Sequence, residues 1–409
     1  MAENKDKKVL NVPNKRELTP NTFDSAEHKE VRLKRNVPNL RFKEFEGEWK
    51  MLALQDICTI NPKSSLLQDS FIYIDLEAVE KGELKNVQSI LREEAPSRAQ
   101  RVIEYNDILF QCVRPYQKNN YIHRIQNKDE QQWVASTGYA QIRTTESPNY
   151  IYHILNTESF NRKVIVRCTG SSYPAINSTD LASIRFYFAI DKKEQNKIAT
   201  FLSLLDERIA TQNKIIEELK KLKVCVRTLI FRTLNCSWFL LSELEANGDI
   251  CLKRGNIIPK HEHTDIFCYP VYSSSVQNGG LMGYNNTYMF NNELVTWSID
   301  GGGNFFYRHK HKFNVTNVSG YMQLNEAKYN YRFVSEILLW QHSFMVFDYQ
   351  TKAHPSVIKS IYKLPDMSLA EQELIANIFR LLDIKLQNEI TILKQYQQQK
   401  QYLLRQMFI

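Results

Sequence analysis

Residues 191–231, DKKEQNKIATFLSLLDERIATQNKIIEELKKLKVCVRTLIF, run for 41 residues without a glycine or a proline. Their apolar positions step by fours and threes through Ile198, Leu202, Leu205 and Ile209, then Ile216, Leu219, Val226 and Ile230. The spacing predicts one unbroken helix, about 60 Å long at helical rise, with a seam of the coiled-coil type. Such a seam has to be buried against something. The chain supplies a partner itself. After Pro365 comes a second glycine- and proline-free stretch, SLAEQELIANIFRLLDIKLQNEITILKQYQQQKQYLLRQMFI.

The two stretches align at a constant offset of 177 residues without a gap. Glu194-Gln195 matches Glu371-Gln372, Leu204-Leu205-Asp206 matches Leu381-Leu382-Asp383, and Phe231 matches Phe408. Upstream, Ser183-Ile184 matches Ser360-Ile361. Even the polar interruptions of the seam coincide, Gln212 with Glu389 and Lys223 with Lys400. Two unrelated amphipathic helices share a period but not a pattern of exceptions, so the chain is a duplicated unit.

The seam comprises Leu205, Ile209, Gln212, Ile216, Leu219, Lys223 and Val226 on one helix. On the other it comprises Leu382, Leu386, Glu389, Leu393, Tyr396, Lys400 and Leu403. Asking the polar exceptions to satisfy one another predicts antiparallel pairing, with Gln212 opposite Lys400 and Lys223 opposite Glu389. The same register sets Ile216 against Tyr396, Leu219 against Leu393, Ile209 against Leu403 and Leu205 against Met407. The alternative is that both lysines reach out to solvent.

Between the helices the pattern is short β-branched and aromatic runs broken by Asn, Gly, Pro and Ser. Residues 69–79, 107–116 and 131–144 read as strands and 149–165 as a helix. The expected organisation is a flexible N-terminal arm (1–36), a first globule (37–190), a central spacer helix (191–235), a second globule (236–365) and a C-terminal spacer helix (366–409). The fold class is α+β: two mixed globules separated by two long antiparallel helices that form a coiled coil, in internal pseudo-twofold duplication. Such an object is a ruler. DNA half-sites one helical turn apart lie about 34–36 Å from each other, within the span of the rod. A scaffold holding two identical protein partners has the same shape.

Composition narrows the function. The net charge is +8, a hint of a polyanionic partner. No block is a basic tail, so a nucleic-acid surface has to be built by folding. No apolar run approaches a membrane span. The N-terminus lacks an apolar signal core, and the seven cysteines are scattered without a CxxC, which points to reduced thiols in the cytoplasm. Asp75, Glu83 and Lys85 have the residue types of a nuclease but not its specificity of pattern. His261, His263, Cys268, Cys251, His309 and His311 lack the tight paired spacing of a zinc site, so no metal is expected. No phosphate-binding GxxxxGK[ST] loop is present, and GGGNFF (301–306) reads as a hairpin turn.

The sequence resembles the specificity subunit of type I restriction–modification enzymes from about Val37 to the C-terminus. The matching pieces include VPNLRFKEFEGEW (37–49), TGSSYPAINSTDLASI (169–184), YPVYSSSVQNGGLMGYNN (269–286), VTWSIDGGGNFFYRHKHKFNVTN (295–317) and AHPSVIKSI (353–361). The most specific signature is Ser-Ile-x9-Glu-Gln leading into a long helix, which occurs twice. The resemblance implies that each globule is a target recognition domain reading one half of a split, asymmetric site in double-stranded DNA. The helices would set the spacing and bind two methylation subunits, and two restriction subunits would add cleavage. The chain itself would perform no chemistry and bind no cofactor. S-adenosylmethionine, ATP and Mg would belong to the partner subunits. An orphan DNA-binding relative without restriction partners would differ only in its neighbours. With helix faces awaiting partners, poor solubility of the isolated chain is expected.

Candidate DNA-contacting residues follow from what phosphates and base edges require. In the first globule they are Lys63, Ser64 and Ser65, then Arg114, Tyr116, Lys118, Asn119 and Arg124, and the turn Ser171, Ser172, Tyr173. In the second they are Tyr272, Ser273, Ser274, Asn278, Asn304, Tyr307, Arg308, Lys310 and Lys312, with Lys352 and His354 mirroring the first globule's SSYPAIN segment.

Overall fold

The computed structural model describes residues 36–409, apart from 86, 127–130, 259–267, 276, 301, 346 and 348–351. The expected arm, 1–36, lies outside the described residues except for its last position. Two helices dominate the chain, the central helix Lys192–Arg232 and the C-terminal helix Leu369–Gln406. Each starts on a side-chain cap: Asp191 accepts from the Lys193 amide, and Ser368 forms a reciprocal capping box with Glu371. Those bonds satisfy amides that have no carbonyl partner in the first turn.

The two helices run antiparallel. Gln212 Nε2 donates to Glu389 Oε2 at 2.5 Å, Lys223 Nζ lies 2.6 Å from Asp383 Oδ1, and Lys400 is paired with Asp206. Every seam residue named above is buried or half-buried. The expected register is not the one formed. Opposite Gln212 stands Glu389 and not Lys400, a slide of about eleven residues or three helical turns. The physical reason is that an amide and a carboxylate satisfy each other directly at the pseudo-twofold axis. The lysines take their anions from Asp206 and Asp383, which flank the seam.

The globules repeat one topology. In the first, Cys58–Ile60, Tyr139–Thr144, Ile108–Gln111 and Tyr121–Ile122 are neighbours in an antiparallel sheet. In the second, the equivalent order is Ile250–Arg254, Ser319–Leu324, Leu294–Ser298 and Phe305–Arg308. Each globule adds a second sheet containing one parallel pair, Ser70–Ile74 with Gln132–Ser136 and Tyr269–Tyr272 with Asn314–Val315. Each also closes with a two-stranded ribbon beside the rod, Lys50–Ala53 with Arg185–Phe188 and Trp238–Leu240 with Lys363–Pro365. The segment read as one helix over 149–165 is two, Pro148–Leu155 and Glu158–Arg167. The break falls at Thr157, whose hydroxyl caps the Phe160 amide and starts the helix afresh.

The repeated Glu-Gln has a structural meaning. Gln195 and Gln372 are fully buried. Gln195 donates to Ala189 O and accepts from the amide of Ser147, the N-cap of Pro148–Leu155. Gln372 donates to Met367 O and accepts from the amide of Asn330, the N-cap of Tyr331–His342. One side chain thus fastens the rod to the globule's principal helix at each end. Around these clasps the cores run continuously from globule into rod. Phe408 packs on Trp49 and Tyr150, and its repeat mate Phe231 packs on Phe333 and Phe379.

Two buried histidines make the first globule sensitive to acid. His153 lies beside the Asp206–Lys400 pair, with Nε2 3.4 Å from Ser203 Oγ. Burial, reinforced by Lys400, pushes it down to about 3, and burial pushes His123 down to about 4. Unfolding returns both to the ordinary histidine range near 6.5. The unfolded chain therefore binds more protons, and their stabilisation, complete above about pH 6.5, is lost as pH falls toward 4. The unfolding midpoint in urea should drop between pH 7.5 and pH 5, with a shallower drop in His153→Gln. Equal slopes for the two proteins would refute the assignment to His153.

Candidate nucleic-acid interface

In the first globule the structure brings two candidate loops together. Isolated bridges join Val113 to Ala175 and Thr169 to Ala175, and the Arg114 amide donates to Pro174 O at 2.8 Å. Arg114 therefore sits beside the 171–173 turn, its guanidinium 4.4 Å from the Tyr173 ring centroid. Ser171, Ser172, Tyr173 and Tyr116 are all exposed there. Arg114 and Lys118 have left-handed backbones (φ 54° and 56°) on either side of a short turn, Pro115–Gln117. Neither is a glycine, and such conformations persist where the surroundings impose them. The result is a fixed arginine with an aromatic neighbour on an open loop pair, suited to a phosphate or a base edge.

Other first-globule candidates serve the fold. Lys118 is 2.6 Å from Glu158, and Asn119 Oδ1 accepts from the Lys81 amide at 3.0 Å. Ser64 and Ser65 accept from the Val102 amide and from Gln132 Nε2, which ties their segment to the second sheet and leaves Lys63 exposed. Arg124 is held by Asn106 and Asn149.

In the second globule two expectations are corrected. Arg308 is 7% exposed. Its guanidinium stacks 3.6 Å from the Tyr272 centroid and donates to Thr296 Oγ1 and to Gly279 O. It braces the turn Gln277–Gly280 from beneath and does not reach solvent; burial pushes its pKa down to about 10. Tyr307 turns toward the helices, bonded to Glu293 with Arg332 4.4 Å from its ring centroid. Both belong to strand Phe305–Arg308, whose residues are buried or half-buried. Phe305–Arg308 is an edge strand, yet it is packed over closely enough to hide polar side chains that the residue types alone suggest are outside.

The turn braced by Arg308 presents Asn278, exposed with φ 49°. Ser273 and Ser274 are half-buried: Ser273 Oγ accepts from Thr316, and Ser274 O accepts from Ser298 Oγ. Asn304 closes the hairpin between Leu294–Ser298 and Phe305–Arg308, its carbonyl accepting from the Ser298 amide. Lys352 is paired with Asp300 at 3.0 Å, and His354 occupies the N-cap position of Pro355–Ile361. Lys310 and Lys312 are exposed.

A feature absent from the sequence reading is the aromatic setting of Lys312. Its Nζ lies 4.7 Å from the Tyr288 centroid and 5.5 Å from that of Tyr269. His309, His311 and Phe313 stack in a column at 4.4 and 4.7 Å. The column stands in the bend between strands Phe305–Arg308 and Asn314–Val315, where strand alternation gives no signal. His261 and His263 lie outside the described residues. Among the described residues no group of three or more His, Cys, Asp or Glu is arranged to hold a metal ion. Asp75 accepts from the amides of Glu77 and Ala78 in a turn, and Lys85 pairs with Glu83.

The chain is a duplicated α+β protein, two globules of one topology at opposite ends of a two-helix rod, each offering open polar loops. The family model described as the type I restriction modification DNA specificity domain matches residues 46–221 and again 242–397, and the chain belongs to that family. It is 36% identical over 150 residues to a type I specificity subunit of Mycoplasma pneumoniae, an alignment covering 35% of this chain and 48% of that one. It is 24% identical over 206 residues to the HindI specificity subunit of Haemophilus influenzae, covering 47% of this chain and 41% of that one. The matched stretches thus span about half the length of these relatives. In fold, the chain is similar to the specificity subunit of M. genitalium, with a TM-score of 0.58 at 16% identity over 91% of this chain and 99% of that one. A chain from a solved type I restriction–modification system gives 0.56 at 16% identity, over 87% and 96%. No helix among the described residues is long and apolar enough to cross a membrane.

Proposed function

We propose that this chain is the address-reading subunit of a cytoplasmic type I restriction–modification complex. Each globule reads one half of a bipartite, asymmetric target in duplex DNA, and the paired helices fix the distance between the halves. The observation that carries this reading is the pseudo-twofold arrangement itself, two globules of one topology clasped to opposite ends of an antiparallel rod by Gln195 and Gln372. A duplicated rod also offers duplicated outer faces. Leu204 and its repeat mate Leu381 are 53% and 60% exposed, more apolar surface than a rod in water needs. Two copies of a methylation subunit dock there, and restriction subunits join through them. Adenine methylation with S-adenosylmethionine, and ATP- and Mg-dependent cleavage, reside in those partners; this chain binds no cofactor.

The test is co-expression with a type I methylation subunit from the same host, followed by mapping of methylated adenines across the genome. A single split motif with a non-specific spacer is expected. Exchanging residues 236–365 for those of a relative should change one block and leave the other. A complex that methylates nothing, or whose duplex affinity is insensitive to salt, would contradict the reading. Failure to form any complex would favour a scaffold for other proteins.

A further inference from the structure

The two ends of the rod share a backbone plan but not a surface. The repeat places Leu374 where the first end has Lys197, and Ile384 where it has Glu207. Leu374 is 67% exposed and Ile384 46%. With Ile378 and Leu381 they recur at intervals of three and four residues, which puts them on one face of the C-terminal helix. The facing end of the central helix adds Leu222, exposed at 47%, where the repeat mate at the first end is Gln399.

The first end carries a further difference. The segment 36–49, which has no counterpart at the second end, crosses the start of the central helix and the finish of the C-terminal one. The Leu40 amide donates to Gln406 O at 2.9 Å, and Arg41 makes a bidentate bond to the buried Glu194 carboxylate at 2.7 and 2.8 Å. Phe42 packs edge-on against Phe201 with centroids 6.0 Å apart, and Lys197 lies over the Phe42 ring while pairing with Glu44. Glu371, the repeat mate of Glu194, instead spends its carboxylate on the Ser368 cap.

Resting on the reading that two copies of one methylation subunit dock on this rod, we infer that the two docking faces are unequal and fill in order. The face at the second globule, apolar and open, takes the first copy. The face at the first globule keeps Phe201 and Leu204 but carries Lys197 and Glu207 and is partly occupied by the 36–49 strap, and it takes the second. A common partner surface gains more from burying Leu374 and Ile384 than from desolvating Lys197 and Glu207.

The test titrates the full chain with the methylation subunit and counts species by native mass spectrometry. A one-to-one complex should fill before the two-to-one complex, with dissociation constants at least about tenfold apart. Hydrogen exchange on the one-to-one complex should show protection over 374–384 and none over 197–207. The double variant Leu374→Lys, Ile384→Glu gives the second end the first end's residues and should bring the two constants within about threefold of each other, by weakening the tighter. Both substitutions are at exposed positions, and circular dichroism would verify that the helices persist. Equal constants in the native chain, protection first at 197–207, or an unaltered first step in the double variant would each overturn the ordering while leaving the docking intact. Absence of any complex would overturn the docking reading and the ordering with it.

Discussion

Gly320→Val is expected to unfold the second globule and leave the first folded. Gly320 lies on a central strand of its sheet, paired with Arg254 on one side and Trp297 on the other. A Cβ there would stand 2.1 Å from the Trp297 ring. The indole has nowhere to go: it is 1% exposed, packed against Phe305, and anchored by Nε1 donating to Ala353 O at 2.8 Å. Overpacking of cores costs about 1–3 kcal/mol and occasionally more, and this case belongs at or above the upper figure because strand and indole are both fixed. Proteolysis should cut within 236–365 while sparing 37–190, since the hydrophobic cores of the two globules are separate clusters. On the proposed reading, one block of the DNA target should be lost when the variant is assembled with its methylation subunit. A variant as resistant to protease as the native chain would refute the argument.

The second large effect is expected from Glu336→Gln. Glu336, 4% exposed at its side chain, accepts from Arg227 at 2.6 Å and lies 3.0 Å from Lys223. Lys223 is shared with Asp383, which also binds Arg332 at 2.6 Å. Removing the Glu336 charge leaves Arg227 (14% exposed) facing a neutral amide. Breaking one partner of a buried pair costs about 3–5 kcal/mol, and the residual exposure of both cations argues for the lower end. The exposed pair Lys220–Glu217, on the same helix, is screened by solvent and should contribute far less. Urea unfolding of Glu336→Gln and Glu217→Gln side by side checks the contrast. Similar midpoints for the two would show that the buried network adds nothing.

The rod was legible in the sequence because a seam repeats its signal many times, and the duplication was legible because its exceptions repeat too. The register was not. Sliding one helix by three turns keeps the same face buried, so only the polar partners choose. Asp206 and Asp383, a step off the seam, become the lysines' anions only in the register formed, and at Asp383 helix Tyr331–His342 adds Arg332 to the cluster and Glu336 to Lys223. The same limit governs the candidate interface. Arg114 and Tyr173 are 59 positions apart in the chain and meet through two bridges to Ala175. Arg308 belongs to a run, FFYRHKHK, whose residue types suggest a basic surface. Strand alternation and the carbonyl of Gly279 put it inside.

The ionic clusters on either side of the rod's centre also bear on mechanical tolerance. A lever converts a small rotation at its root into a long displacement at its tip. A tilt of about five degrees in an arm of about 30 Å, half the length of a 41-residue helix, moves its far end by about 3 Å. That is close to the 3.4 Å rise of one DNA base pair. Lys400 with Asp206 on one side of the centre, and Lys223 and Arg332 with Asp383 on the other, therefore do more than hold two helices together. They brace the rod against that tilt, and on the proposed reading of a split target this stiffness is what would keep the number of base pairs between the two halves constant.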